Sequence, residues 1–223
     1  MDAKGVQSKV NITTIEAISL PEAWWMCLRA ALDGGSLYTI ERGSFEGHQR
    51  REIDMVAINI EVPGMRPLVP YVPEGVPPPT SMEYVNDYLS YLMASTKAEN
   101  EEYTYGWYLA DQIPKVIEML RNSGQTNQAF MTVGNPATLD MKDPPCLRGI
   151  QCRVRYGKLH FIVYFRSWDL WAGFPSNLAA LQLMKEYMAE EIGLPDGSLL
   201  AVSPGLHLYD HTWEHARKVL KEA

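Results

Sequence analysis

Ile150-Gln151-Cys152-Arg153-Val154-Arg155-Tyr156, Gly157-Lys158 and Leu159-His160-Phe161-Ile162-Val163-Tyr164-Phe165-Arg166 follow one another without a break, and how this stretch is read decides the fold. β-branched and aromatic residues on both sides of a glycine-bearing pair predict a hairpin turning at Gly157-Lys158. Phe161 to Phe165 is almost wholly apolar, which suits a core strand whose face needs a partner layer. Downstream, the longest helix is expected from Ser176, a good N-cap, to Ile192, stopped by Gly193 and Pro195.

Working outward, apolar residues at Ala23, Trp24, Cys27, Leu28, Ala31 and Leu32 have helical spacing, and Gly34-Gly35 closes that helix. Leu37–Glu41 and Ile53–Val62 read as strands joined by a polar turn, Arg42 to Arg51. Prolines between Pro63 and Pro79 predict an extended surface loop. Ser81–Ser95 and Gln112–Asn122 carry periodic apolar faces, and Lys97–Glu102 is a solvated charged run. Ala129–Gly134, Leu199–Ser203 and Leu206–Tyr209 are short strands, followed by a last helix. Strands and helices interleave without regular alternation, so the expectation is one α+β domain over 1–223, a mixed β-sheet flanked by helices.

The chain has 223 residues, 46% of them apolar, enough for one full core. Three cysteines without metal-ligand spacing, and no charged-then-apolar leader, point to a reduced, cytoplasmic setting. No apolar run is long enough to span a bilayer. A net charge of −7 argues against a nucleic-acid partner but leaves room for a small phosphorylated ligand held by a few arginines. The histidines, including His211 and His215, form no metal set, and glycine-rich phosphate loops are absent.

Cys146 follows Pro144-Pro145, which fix the backbone and remove two amide donors. A thiol so presented is either an inert core cysteine or a nucleophile, the latter activated by a nearby guanidinium. Arg166 ends the apolar strand beside Ser167, as a phosphate ligand or an ion-pair partner of Asp169. Asn177, at the start of the long helix, either caps it or reads a pyrimidine edge. His207 and Tyr209, two apart in a strand, face one way and can clamp a sugar hydroxyl or simply be half-buried.

Taken in order, Pro145-Cys146, Arg166-Ser167-Trp168-Asp169, Gly173-Phe174-Pro175-Ser176-Asn177 and His207-Leu208-Tyr209 resemble thymidylate synthases. Weaker similarity reaches back through Tyr105-Gly106 to Gly47-His48-Gln49-Arg50-Arg51. The resemblance implies a homodimer joined through sheet faces and a methyltransferase that converts dUMP to dTMP. Cys146 would attack C6 of the nucleotide, and the donor would be methylene-tetrahydrofolate or a methylene-tetrahydromethanopterin, with no metal. It also implies that Arg51, Arg166 and Ser167 hold the phosphate, Asn177 the uracil edge, His207 and Tyr209 the 3′-hydroxyl, and Asp169 the pterin. Arg166 would in addition lower the Cys146 pKa, and Asp87, with Glu83 as rival, would be the general acid.

The chain departs from that pattern at three places. Thr126-Asn127-Gln128 stands where the family has an arginine pair donated across the dimer, and Leu147 stands where a histidine follows the nucleophile. The chain ends at Ala223, soon after Tyr209, without the family's long C-terminal tail, as in short archaeal members. Two other functions stay open: a cytidylate hydroxymethylase, which Asn177 disfavours, and a non-catalytic pyrimidine-nucleotide-binding paralogue, which a retained Cys146 disfavours.

Overall fold

A computed structural model describes residues 9–42, 45–99 and 101–221. Gly43 and Ser44 of the expected polar turn and Asn100 of the charged run lie outside them, as do both ends of the 1–223 domain. In chain order the elements are β1 (Ile12–Ala17), α1 (Leu20–Gly34), β2 (Ser36–Thr39), β3 (Gln49–Ile53), β4 (Met55–Ile60), α2 (Met82–Met93), α3 (Tyr105–Leu109) and α4 (Ile113–Asn122). They continue as β5 (Phe130–Thr132), β6 (Leu147–Arg155), β7 (Lys158–Phe165), β8 (Trp168–Asp169), α5 (Gly173–Ile192), β9 (Asp196–Ser203), β10 (Leu206–Tyr209) and α6 (Trp213–Lys221).

Two mixed sheets organise them. The larger has the order β1-β4-β9-β7-β6-β5, the smaller β2-β3-β10-β8. The α+β expectation holds, with two sheets where one was expected. The hairpin is present, but it turns at Tyr156-Gly157, both at positive φ of 54° and 72°. A two-residue turn needs that left-handed pair to match strand twist, and glycine takes it without strain.

Within β7, Phe161, Val163 and Phe165 are buried while Ile162 and Tyr164 are 37% and 43% exposed. One face of this strand therefore packs inward on α5, and the other looks out; each buried aromatic contributes roughly 1.5–3 kcal/mol. Lys185 is wholly buried on α5. Its ammonium lies 3.1 Å from an Asp196 carboxylate oxygen and donates to the carbonyls of Gly197 at 2.5 Å and Ser198 at 3.2 Å. Burial pulls its pKa down to about 8 against the pull of Asp196.

Two expectations need correction, and one strand, β1, was not foreseen. Gln49–Ile53 is a strand, not part of a turn, because β2 and β10 pair with it on either side. β1, rich in threonine, forms by parallel pairing along β4 and lacks the clean alternation that announces a strand. The long helix begins at Gly173, three residues ahead of Ser176, because Asp169 caps it from β8. Asp169 Oδ1 accepts from the Trp171 amide at 3.1 Å, and Oδ2 from Ala172 and Gly173 at 3.1 and 2.9 Å. A carboxylate on helix amides also meets the positive end of the helix dipole. Ser176 is buried, its hydroxyl donating to Ala172 O at 2.7 Å and accepting from the Thr80 hydroxyl at 2.8 Å.

Among the described residues no helix is long and apolar enough to cross a membrane.

Candidate active site

Cys146 sits at the mouth of β6, half-buried. Pro144 and Pro145 cannot donate, so the carbonyls of this loop need donors from elsewhere. Arg166 provides them: Nε donates to Pro145 O at 3.1 Å, and Nη2 donates to Pro144 O at 2.5 Å and reaches Asp143 Oδ1 at 3.4 Å. Its backbone amide also donates to Cys146 O at 2.8 Å. The net shift of the Cys146 pKa is upward, against expectation. Burial is the main cause, and Arg166 is the largest influence in the opposite direction. The guanidinium thus acts in the expected sense without outweighing desolvation.

The smaller sheet carries a polar face. Residues directly paired across strands share a side, and β10 pairs His207 with Glu52 and Asp169, Tyr209 with Arg50, and Leu208 with Arg51. Arg50, Glu52, Asp169, His207 and Tyr209 therefore face one way. Arg51 faces the other, over the Trp213 ring at 5.5 Å and towards Gly35 O. The structure brings Arg50 to this face, not Arg51. Arg50 Nε pairs with Glu52 at 2.8 Å, and burial raises the Glu52 pKa against that pull.

His207 is 3% exposed. Its Nδ1 lies 2.9 Å from Gly205 O and 3.5 Å from Ser167 Oγ. A carbonyl can only accept, so Nδ1 carries the proton and Nε2 is left as a bare acceptor. That Nε2 is buried with no hydrogen-bond partner among the described residues. Burial lowers the His207 pKa, keeping the ring neutral. Tyr209, 4.7 Å away between ring centres, has its pKa pushed up to about 12 by burial, then by Asp169. A neutral acceptor beside a protonated phenol suits a sugar hydroxyl.

Asn177 does not cap α5; it lies beyond the first turn. Trp168 Nε1 donates to its Oδ1 at 2.9 Å, and its Nδ2 donates to the Tyr88 hydroxyl at 2.8 Å.

Tyr88 opens a second region. Tyr84, Tyr88 and Tyr91 stack along α2 with ring centres 6.0 and 5.5 Å apart. With Tyr103, Tyr105, Asp87 and Glu101 they line a bay of about 490 Å³. The Tyr105 hydroxyl accepts from the amide of Leu147, the residue after Cys146, at 3.4 Å, so the bay adjoins the loop that carries the thiol. Gly106 is required behind it, since a side chain there would collide with the Ala94 backbone. Asp87 and Glu83 are both exposed on α2; Asp87 borders the bay, and Glu83 is not among its lining residues.

The sequence reading gave no role to Arg50, Glu52, Trp168, Tyr84, Tyr88, Tyr91 or Tyr103. It weighed Tyr105-Gly106-Trp107 as a ligand-stacking wall against core aromatics, and of these Tyr105 lines the bay while Trp107 is not among its lining residues. Tyr84, Tyr88 and Tyr91 share a local signal, their helical spacing on one face. Among the described residues no group of three or more His, Cys, Asp or Glu side chains is placed to hold a metal.

A family model described as thymidylate synthase matches residues 91–223. A protein of Methanococcoides burtonii, provisionally named thymidylate synthase, is 33% identical over 215 residues, covering 93% of this chain and 94% of its own length. Another from Methanosarcina acetivorans, with the same provisional name, is 31% identical over 214 residues with the same coverage. A Methanopyrus kandleri protein so named is 32% identical over 116 residues, covering 49% of this chain and 56% of its own length. The matched span holds Cys146, Arg166, Asn177 and His207, and on that footing the chain belongs to the thymidylate synthase family.

Proposed function

We propose that this chain is a methyltransferase that converts dUMP to dTMP, using a methylene-carrying reduced pterin as one-carbon donor. The observation that carries the reading is the position of the half-buried Cys146 thiol. Arg166, at the end of β7, holds the loop that carries it, and the hydroxyl of Tyr105 from the tyrosine bay accepts from the amide of the next residue, Leu147, at 3.4 Å. Arg50, Arg166 and Ser167 then receive the 5′-phosphate, His207 Nε2 accepts from the 3′-hydroxyl with Tyr209 beside it, and Asn177 reads the base. The bay, flat-walled and aromatic, fits a pterin ring. Asp169 has about four lone-pair sites, three taken by helix amides, which leaves one for a ring N–H. Asp87 at the rim of the bay serves as general acid.

Cys146 loses its proton and bonds to C6, which places an enolate at C5. The donor supplies a methylene carbon and a hydride and leaves as the dihydropterin. C5 gives up its proton, and expulsion of Cys146 restores the ring. Exclusion of water from the reacting carbon favours reduction over hydration.

The outer face of the larger sheet, with Phe130, Ile162 and Tyr164 exposed, is covered by a second copy in this reading. Sedimentation of a stable monomer at micromolar concentration would count against that.

The deciding experiment incubates the protein with dUMP or dCMP and either methylene donor, tetrahydrofolate or tetrahydromethanopterin, and reads product mass and pterin oxidation state. A methylated product with oxidised pterin is expected. A hydroxymethylated product with the pterin left reduced, or no product, would sink the proposal. If the two donors turn over equally, the reading stands and donor identity is not selective.

A further inference from the structure

We infer that Trp168 and Tyr88 are positioning residues that fix which end of the Asn177 amide faces the base, so that Trp168 sets a preference for a pyrimidine bearing a carbonyl, not an amine, at C4. The inference rests on the pyrimidine-nucleotide reading of the site and deepens it.

The two ends of a carboxamide have nearly the same shape, and only their partners decide which way round it sits. An indole N–H donates and never accepts, so the Asn177 atom 2.9 Å from Trp168 Nε1 has to be the oxygen. Trp168 cannot swing away to release it. It is 1% exposed, and its ring stacks on Phe165 at 4.0 Å between centres, 3° from parallel, and on Phe174 at 4.5 Å. The nitrogen end is then turned to Tyr88 and donates to its hydroxyl oxygen at 2.8 Å.

That arrangement has one direction. A proton runs from Trp168 to the Asn177 oxygen and another from the Asn177 nitrogen to the Tyr88 oxygen, and aligned dipoles of this kind strengthen each other. The chain ends in donors: the second Nδ2 hydrogen and the Tyr88 hydroxyl proton. No acceptor for that proton is found among the described residues. Tyr88 keeps its proton, because burial holds its pKa well above the usual phenol range. Its ring lies 6.4 Å from that of Tyr105, whose hydroxyl accepts from the amide of Leu147, the residue after Cys146, at 3.4 Å, so both donors lie on the side of the nucleophile. A C4 carbonyl would accept from them, whereas a C4 amine would set donor against donor in a buried site.

Trp168→Phe keeps the stack on Phe165 and Phe174 and removes only the N–H. Wild type and variant are titrated calorimetrically with dUMP and with dCMP, without any one-carbon donor. The expected result is that the dUMP-to-dCMP affinity ratio falls on the order of tenfold, the loss of one buried hydrogen-bond pair. Tyr88→Phe is expected to lower the ratio a few-fold, because Trp168 still holds the amide. It also decides the matter if Trp168→Phe does not fold. Equal weakening of both nucleotides with the ratio unchanged would show a packing role only and overturn the inference, while the nucleotide reading stands. Wild type that binds neither nucleotide, or prefers dCMP, would overturn that reading and the inference together.

Discussion

The two sheets bury opposite things. In the larger one, the side chains that β7 turns inward, Phe161, Val163 and Phe165, are all apolar. In the smaller one, a single face buries or half-buries Arg50, Glu52, His207 and Tyr209. Burial pushes Glu52 and His207 towards their neutral forms, which marks the desolvation cost of keeping them there. The first sheet gains stability from its interior. The second gives up stability to bury polar atoms such as His207 Nε2, which has no hydrogen-bond partner among the described residues.

Substitutions should separate these roles. The largest effect belongs to Cys146→Ala, expected to cut turnover by at least roughly 10³-fold while nucleotide affinity stays near wild type. Steady-state rates set beside calorimetric titration check it, and retained turnover would break the division between recognition and chemistry. Phe161→Ala should cost about 3–5 kcal/mol in urea unfolding and leave the nucleotide affinity of the folded fraction unchanged. A large affinity loss would show that the two sheets are not separate in function.

Arg166→Ala should weaken dUMP binding by roughly 10- to 100-fold, the worth of hydrogen bonds to a charged group. It should also slow iodoacetamide alkylation of Cys146, because removing the guanidinium lets the thiol pKa rise further. Unchanged values of both would remove Arg166 from the site. Asn177→Asp is expected to shift dUMP-over-dCMP selectivity by on the order of tenfold, read from kcat/KM for the two nucleotides.

The smallest effect is on pH dependence. With the folded-state pKa of His207 below its ordinary value, the unfolded chain holds a proton that the folded chain has released. Stability should therefore decline as pH falls through about 6.5. Glu52, raised in the folded state, acts in the opposite sense at lower pH, just above the ordinary glutamate range. His207→Gln should flatten the first slope in thermal melts from pH 8 to 5.5. A slope as steep as wild type would assign it to other groups.

The same contrast governs what the sequence made legible. α1, α2, α4 and the β6–β7 hairpin were readable because their burial follows a local period. β3 was hidden because Arg50 and Glu52 sit on the polar face, and a strand with charged side chains on that face does not read as core. Arg51, the expected phosphate ligand, and Arg50 differ by one residue, and in a strand one residue is the other face. The start of α5 was misplaced because its cap comes from Asp169, on the preceding strand. Lys185 sits unannounced on the buried side of α5. The tyrosines of α2 share helical spacing, but Tyr103 and Tyr105 join them only through the fold. The ordered series from Cys146 to Tyr209 was plain in the sequence, since its residues keep their types whatever surrounds them.

Arg166 reaches three oxygens of the Asp143–Pro145 loop with one side chain. A lysine would keep the charge but not the planar fork that spans those acceptors. Engineers who want a more reactive thiol therefore have little freedom at this position. The guanidinium that tunes the sulfur is also the mortar of the wall that holds it, so tuning is better sought in a neighbour such as Arg148, which acts on the thiol from outside that joint.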